Sequence, residues 1–518
     1  MDLLRLLGIG RRIANTASGF GKRKSGYGYG SSDCISGNLD NDLKLLLALF
    51  TDTPDLNVRP LTIRATGRRA ALVYLEGLTD KNSINNNILK PLLQNEEDGC
   101  GTTSVTVGRL NRMRRWIDIQ SAVLQGSSIL FVDGAADAQV HGTEGWPQRA
   151  IEDPQVETSL KGAHQGFVET LDQNIALIRR YLPHRNLKIK EQRVGRRSDT
   201  RVCTVYLDDV ANMDTLAQIE GRIGKIDIDV IINSGELSEL IEDDPYSPFP
   251  QILLTERPDT AASQIIQGRF VIVVDRSPSV LVAPVSFASF FQSVDDYSTR
   301  WSIATFIRFL RFFALLVAIF LPAFYIAVIS FNFELIPLRL LLTIGEYRGI
   351  VPISPFLEAI FMELTLEMMR EAGVRLPAPV GQTVGIVGGI VIGQAVVQAG
   401  LISNIMVIVV AFTAIASFIL PNFDMVAAVR LLRFFMMIGA ALFGIFGIMI
   451  GFMILIAHLI SLESFGTPFG SPFAPVRFAD WKDTMVRIPL WRMRKRPVST
   501  KPAELNRQVA HRTEGEGK

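Results

Sequence analysis

The sequence predicts an α/β two-lobed soluble head followed by an α-helical polytopic membrane domain, and three observations carry that prediction. Two stretches in the last third hold no charged group: FFALLVAIFLPAFYIAVISF at 312–331, where only Tyr325 is ionisable, and FFMMIGAALFGIFGIMIGFMILIA at 434–457. A hydrocarbon core of roughly 30 Å needs about 20 apolar residues per helix, and both stretches meet that length. Residues 40–300, by contrast, have the mixed composition of a globular protein and carry a strand–helix–strand pattern twice in tandem.

Residues 1–38 hold Arg5, Arg11, Arg12, Lys22, Arg23 and Lys24 among glycines and serines. They lack the apolar content of a core and are expected to form a disordered basic arm. LLRLLGIG at the start is too short for a secretory signal and is interrupted by Arg5, which favours a cytoplasmic head.

The first lobe, 39–145, takes a strand from ALVYLEGLTD at 71–80, a helix from INNNILKPLL at 84–93 and a second strand from ILFVDG at 129–134. The second lobe, 146–300, repeats that order with VCTVYLDDVAN at 202–212, MDTLAQIEGRI at 213–223 and FVIVVDRS at 270–277. Duplication and shared strand chemistry both account for this weak repeat. The helices and crossover lengths allow parallel or mixed sheets. The polar segment 141–166 reads as a connector leading into a helix over about 166–182, where Phe167, Leu171, Ile175 and Ile178 recur at helical spacing. Arg179 and Arg180 suit the negative pole of that helix, and Pro183 stops it. With four prolines, 244–260 is expected to be a rigid loop around a short strand.

The membrane domain, 301–460, is expected to hold about four spans, at 312–331, 384–402, 405–421 and 434–457, plus an amphipathic helix in PFLEAIFMELTLEMMREAGVRLP at 355–377. On that helix Glu363, Glu367 and Glu371 share one face, with Ile360, Phe361, Leu364 and Met368 largely opposite. The acidic face either lines a water-filled cation path in an oligomer or is a solvated face at the membrane surface. Gly385, Gly389 and Gly393 give 384–402 the small-residue spacing of close helix packing. Gln394 and Gln398 want protein or water beside them and join the candidate path. Arg300, Arg308 and Arg311, with the basic tail at 461–518, place both ends on the cytoplasmic side. Four spans leave Arg430 and Arg433 on the outer side. A fifth membrane segment at 335–372 corrects this but moves the tail outside, and both arrangements stay open.

No phosphate loop and no HExxH pair occurs, and Cys34, Cys100 and Cys203 have no metal-ligand spacing. No catalytic, cofactor-binding or metal-ligating residue is expected, and the net charge of +2 carries no nucleic-acid signal. Asp80, Asp133, Asp208 and Asp275 end strands. Turn and cap chemistry is the favoured role for them over a binding cleft.

The run SPFLEAIFMELTLEMMREAGVRLPAPVGQTVGIVGGIVIGQAVVQAGLIS at 354–403 resembles the A subunit of bacterial spore germinant receptors, the GerA family. LEGLTD at 75–80, ILKPLL at 88–93, KGAHQGFVETLDQNIALIRR at 161–180, SPFPQILLTERPD at 247–259 and DDYSTRW at 295–301 resemble family motifs in the family's order. Gly162, Ala163 and His164 depart from a more basic run expected there. The resemblance implies a non-enzymatic, multi-pass protein of the spore inner membrane. Its implied partners are a transporter-like B subunit, a lipoprotein C subunit, membrane lipid and further copies of itself. The implied role is to form or gate an ion path that starts germination in response to a nutrient. A nutrient transporter and a non-conducting membrane-anchored scaffold are the alternatives.

Overall fold

The computed structural model describes residues 34–94, 110–145, 157, 162, 164–377, 389 and 393–508. Most of the expected basic arm, much of the connector and Gly385 lie outside them, as do Cys100 and Ala163.

The first lobe is a five-stranded sheet of β1 (Leu56–Thr62), β2 (Arg69–Leu75), β3 (Leu110–Met113), β4 (Ser128–Val132) and β5 (Ala138–His141). The second is a five-stranded sheet of β6 (Leu187–Val194), β7 (Thr200–Leu207), β8 (Leu253–Thr255), β9 (Phe270–Val274) and β10 (Val280–Ala283). Their spatial orders, β1-β2-β4-β5-β3 and β6-β7-β9-β10-β8, are the same order in each lobe's own count.

Each of these pairings is antiparallel, which corrects the parallel or mixed sheets allowed from sequence. Short links such as the one after β1, which turns through Gly67 at φ +63°, join neighbours directly, and an antiparallel pair needs no crossover helix. The longer excursions of both lobes visit an edge strand, β3 or β8, before the chain returns to the sheet centre.

Two helices of the first lobe, α1 (Leu39–Leu49) and α2 (Trp116–Leu124), share its core with β2 and β4. The second lobe is layered on both faces of its sheet. Val271 and Val273 of β9 face α3 (Leu171–Tyr181), while Phe270, Ile272 and Val274 face α4 (Met213–Ile223) and α5 (Ser234–Ile241). That is why FVIVV is apolar throughout instead of alternating. The helix expected at about 166–182 starts only at Leu171. Asn174 holds the preceding chain extended by accepting from Val168 N at 2.8 Å.

The α3 side of this core continues through α6 (Pro258–Ile266), Phe290 and Phe291 into the helices that follow. These are α7 (Trp301–Ser330) and, beyond the short helix α8 (Leu338–Arg348), which buries no residue, α9 (Pro355–Arg375), α10 (Asn404–Ile419), α11 (Phe423–Phe443) and α12 (Ile445–Ser461). By length and composition α7 and α11 are able to cross a membrane, and α10 and α12 are shorter apolar helices.

The first long helix leaves the head and the last returns to it. The far end of α7 meets Ser403, before α10, through Tyr325 Oη at 3.2 Å, while Phe418 to Asn422, at the end of α10 and just beyond it, line a cavity with Arg257 and Tyr297 of the head. His458 Nε2 near the end of α12 lies 2.9 Å from Ser247 Oγ of the head. The following tail then packs on the second lobe, with Phe469 O accepting from Phe287 N and Val210 O from Ala503 N, both at 2.8 Å.

The uncharged run 434–457 is not the single span read from sequence. Gly444, at φ +60° and ψ −138°, breaks it into the end of α11 and most of α12. The two helices fold back as a hairpin. A Cβ on Gly447 would lie 1.9 Å from Gly439 O, and one on Gly451 would lie 2.6 Å from Met436 Sδ. Two glycines facing each other let the backbones touch.

Candidate functional site

The acidic stripe of α9 is built from the helix start. Pro355 opens the helix and Ser354 caps it by accepting from Leu357 N. One turn on, Glu358 is fully buried, 3.2 Å from Arg348, and accepts from Ser403 N. Glu363, also at 0% exposure, lies 2.5 Å from Arg433 of α11. Arg433 Nε donates in turn to Ala318 O of α7 at 2.7 Å, so one ion pair ties three helices together. Glu367 pairs with Arg430 of α11 at 2.6 Å and with Arg370 at 3.1 Å. Glu371 stands at the outer end, 65% exposed, with Arg375 at 2.6 Å.

The predicted stripe therefore changes character along its length. Glu363 and Glu367 face Arg433 and Arg430, the two arginines whose side of the membrane the span count leaves open. Arg430 and Arg433 belong to the middle of α11, inside the bundle. Charges withdrawn from water need such partners, because an unpaired one costs several kcal/mol. Gln394 and Gln398 are exposed and lie on a short helix, Gly393–Gln398. An added Cβ on Gly389 or Gly393 would meet nothing within 4 Å, so these glycines pack against no element of their own chain among the described residues.

A second polar cluster joins the head to α7, and the sequence reading did not assemble it. Asp295 accepts from Arg257 at 3.1 Å, and Arg257 also holds Asp259 at 2.8 Å. The adjacent Asp296 takes both Arg308 and Arg311 of α7 at 2.9 Å. Arg308 reaches on to Asp483 of the tail at 3.0 Å, and Tyr297 Oη donates to the same carboxylate at 2.7 Å. Burial opposes the Arg257 charge, but its bonds to Asp259 and Asp295 outweigh that and raise its pKa. Burial raises the Tyr297 hydroxyl, keeping it a donor. A cavity of about 390 Å³ lies beside this cluster, lined in part by Arg257, Asp295, Tyr297 and Arg311. The available signal was two arginines, Arg308 and Arg311, in the first turns of an otherwise apolar helix, together with carboxylates inside the DDYSTRW and TERPD runs.

The four strand-end aspartates act mostly as caps. Asp80 accepts from Asn82 N and Ser83 N, Asp133 from Leu39 N, and Asp275 from Leu171 N. Burial pushes the Cys203 thiol up to about 12, which leaves it unreactive. Among the described residues no group of three or more His, Cys, Asp or Glu is placed to hold a metal ion.

A family model described as Bacillus/Clostridium GerA spore germination protein matches residues 44–499. The chain is 41% identical over 445 residues to spore germination protein KA of Bacillus subtilis (strain 168), covering 85% of this chain and 82% of that protein. It is 38% identical over 469 residues to the uncharacterized membrane protein YfkQ of the same organism, covering 89% and 91%. Among solved structures, the N-terminal domain of the A subunit of the Bacillus megaterium spore germinant receptor GerK3 is 29% identical. It covers 50% of this chain and 98% of that one, with a TM-score of 0.39.

Proposed function

The chain belongs to the GerA family of spore germination proteins, and on that premise we propose that it is the membrane-embedded subunit of a nutrient-responsive receptor that oligomerises to form or gate an ion path. The apolar helices span the spore inner membrane, and the lobes and tail lie together on its cytoplasmic side. The basic residues at both ends of the helical region, and the return of α12 to the head, support that orientation. A transporter-like B subunit and a lipoprotein C subunit complete the receptor.

The observation that carries the ion path is a set of exposed polar groups on a mostly apolar helical unit. Glu371 is 65% exposed, Gln394 and Gln398 are exposed, and Gly389 and Gly393 face open space. Lipid accepts such groups poorly, so further copies of the chain are needed to enclose them around water. Glu363 and Glu367 hold the wall of that path through Arg433 and Arg430.

Glu371→Gln should lower cation flux severalfold in liposomes containing the full chain while leaving its oligomeric state unchanged. Flux equal to that of the wild type removes the outer stripe from the path. No flux from the wild type at any driving force favours the scaffold instead.

A further inference from the structure

The tail runs across the place where α7 leaves the head. Arg487 donates to the carbonyls of Tyr297 and Thr299 at 3.4 Å, and Thr305 Oγ1 of α7 lies 3.3 Å from Arg487 O. A series of rings leads outward from the same helix. Phe312 meets Phe473 at 6.2 Å, Phe473 meets Trp481 at 6.0 Å, and Trp481 meets Phe478 at 5.3 Å. Phe478 is 72% exposed, Trp491 68%, Val476 56% and Trp301 47%.

Lys482, Arg492, Arg494 and Lys495 stand on the same segment and are exposed. The nearby carboxylates are engaged elsewhere, Asp483 by Arg308 and Asp480 by the N–H groups of Val498 and Ser499. Among the described residues none of these four cations forms an ion pair.

Exposed rings leave water readily, whereas unpaired cations do not. The boundary between hydrocarbon and water accommodates both, with aromatic side chains at the headgroup level and cations against anionic headgroups. The segment is anchored to the first turns of α7, just before its uncharged stretch begins, which is where that boundary falls.

We infer that residues 476–495 form a docking surface for anionic lipid. Phe478 and Trp491 enter the headgroup layer, and Arg492, Arg494 and Lys495 hold lipid phosphates. The inference rests on the membrane reading of the helices proposed above.

The test reconstitutes the full chain in nanodiscs of phosphatidylcholine alone, or of phosphatidylcholine with phosphatidylglycerol, and follows backbone hydrogen exchange over 476–495. Phosphatidylglycerol is expected to slow exchange there, with attraction on the order of fivefold per cation engaged. The variant combining Arg492→Gln, Arg494→Gln and Lys495→Gln is expected to lose that slowing while α7 keeps its protection. Equal exchange in both discs overturns the lipid surface, as does slowing that persists in the triple variant. A chain that stays in solution without discs overturns the membrane reading itself, and this inference with it.

Discussion

Glu363 and Arg433 meet inside an apolar bundle with side-chain exposures of 0% and 2%, and that setting decides what each contributes. Neither charge is tolerated there alone, yet together, with Ala318 O completing the contact, they lock α9 and α11 to α7. A carboxylate held in this way is a strut. Glu363→Gln leaves Arg433 charged and unpaired, and the full chain in detergent should lose about 3–5 kcal/mol of stability, read as a lower melting temperature. Combining Glu363→Gln with Arg433→Met removes both charges and should recover most of that loss. A double variant no more stable than the single one would show that the pair is not the source. The sequence disclosed the fourfold spacing of the glutamates but not their partners, because Arg433 lies 70 residues further along the chain and no local periodicity links the two.

Elements were legible wherever local chemistry decides them. Residues 213–223 form a helix with the bounds read from sequence, because Asn212 caps it and Leu216, Ile219 and Ile223 recur on its buried face. The β-branched runs at 71–75, 202–207 and 270–274 are strands for a similarly local reason. Strand direction was not legible, since it is set by which edge the chain visits between neighbours. The fold-back of 434–457 was hidden as well, because hydropathy measures length and not continuity. Pro322 inside α7 leaves a 30-residue helix intact, whereas Gly444 ends one, because only the latter adopts a backbone with φ of +60°. Gly447→Ala puts a methyl into Gly439 O and should cost about 1–3 kcal/mol or more through forced separation of α11 and α12, measured as a lower melting temperature of the full chain. Gly345→Ala meets nothing within 4 Å and is the control expected to hold or slightly raise stability. Equal melting of the two variants would mean that the hairpin contact carries no load.

Across the whole molecule, the second lobe and the helices share one continuous apolar core, so that lobe cannot move without loading the helices, and the polar cluster at their junction directs that load. Asp295 and Asp296 are adjacent, yet the first is tied to Arg257 of the head and the second to Arg308 and Arg311 of α7. Asp483 brings the tail to the same Arg308, so three parts of the chain converge on the first turns of one helix. A rotation of the second lobe therefore pulls on Asp295 and, through a single peptide link, on Asp296 and α7. At 3% exposure Asp296 has no access to replacement contacts with water. Asp296→Asn removes one negative charge shared by two buried arginines, with a cost of about 3–5 kcal/mol if the cluster does not rearrange. The effect should be local: faster hydrogen exchange over 301–311 of the full chain, with exchange across β9 unchanged. Asp295→Asn should release the head side and leave 301–311 protected. If both variants loosen the same residues to the same degree, the two carboxylates act as one site, and the division between head-facing and helix-facing links fails.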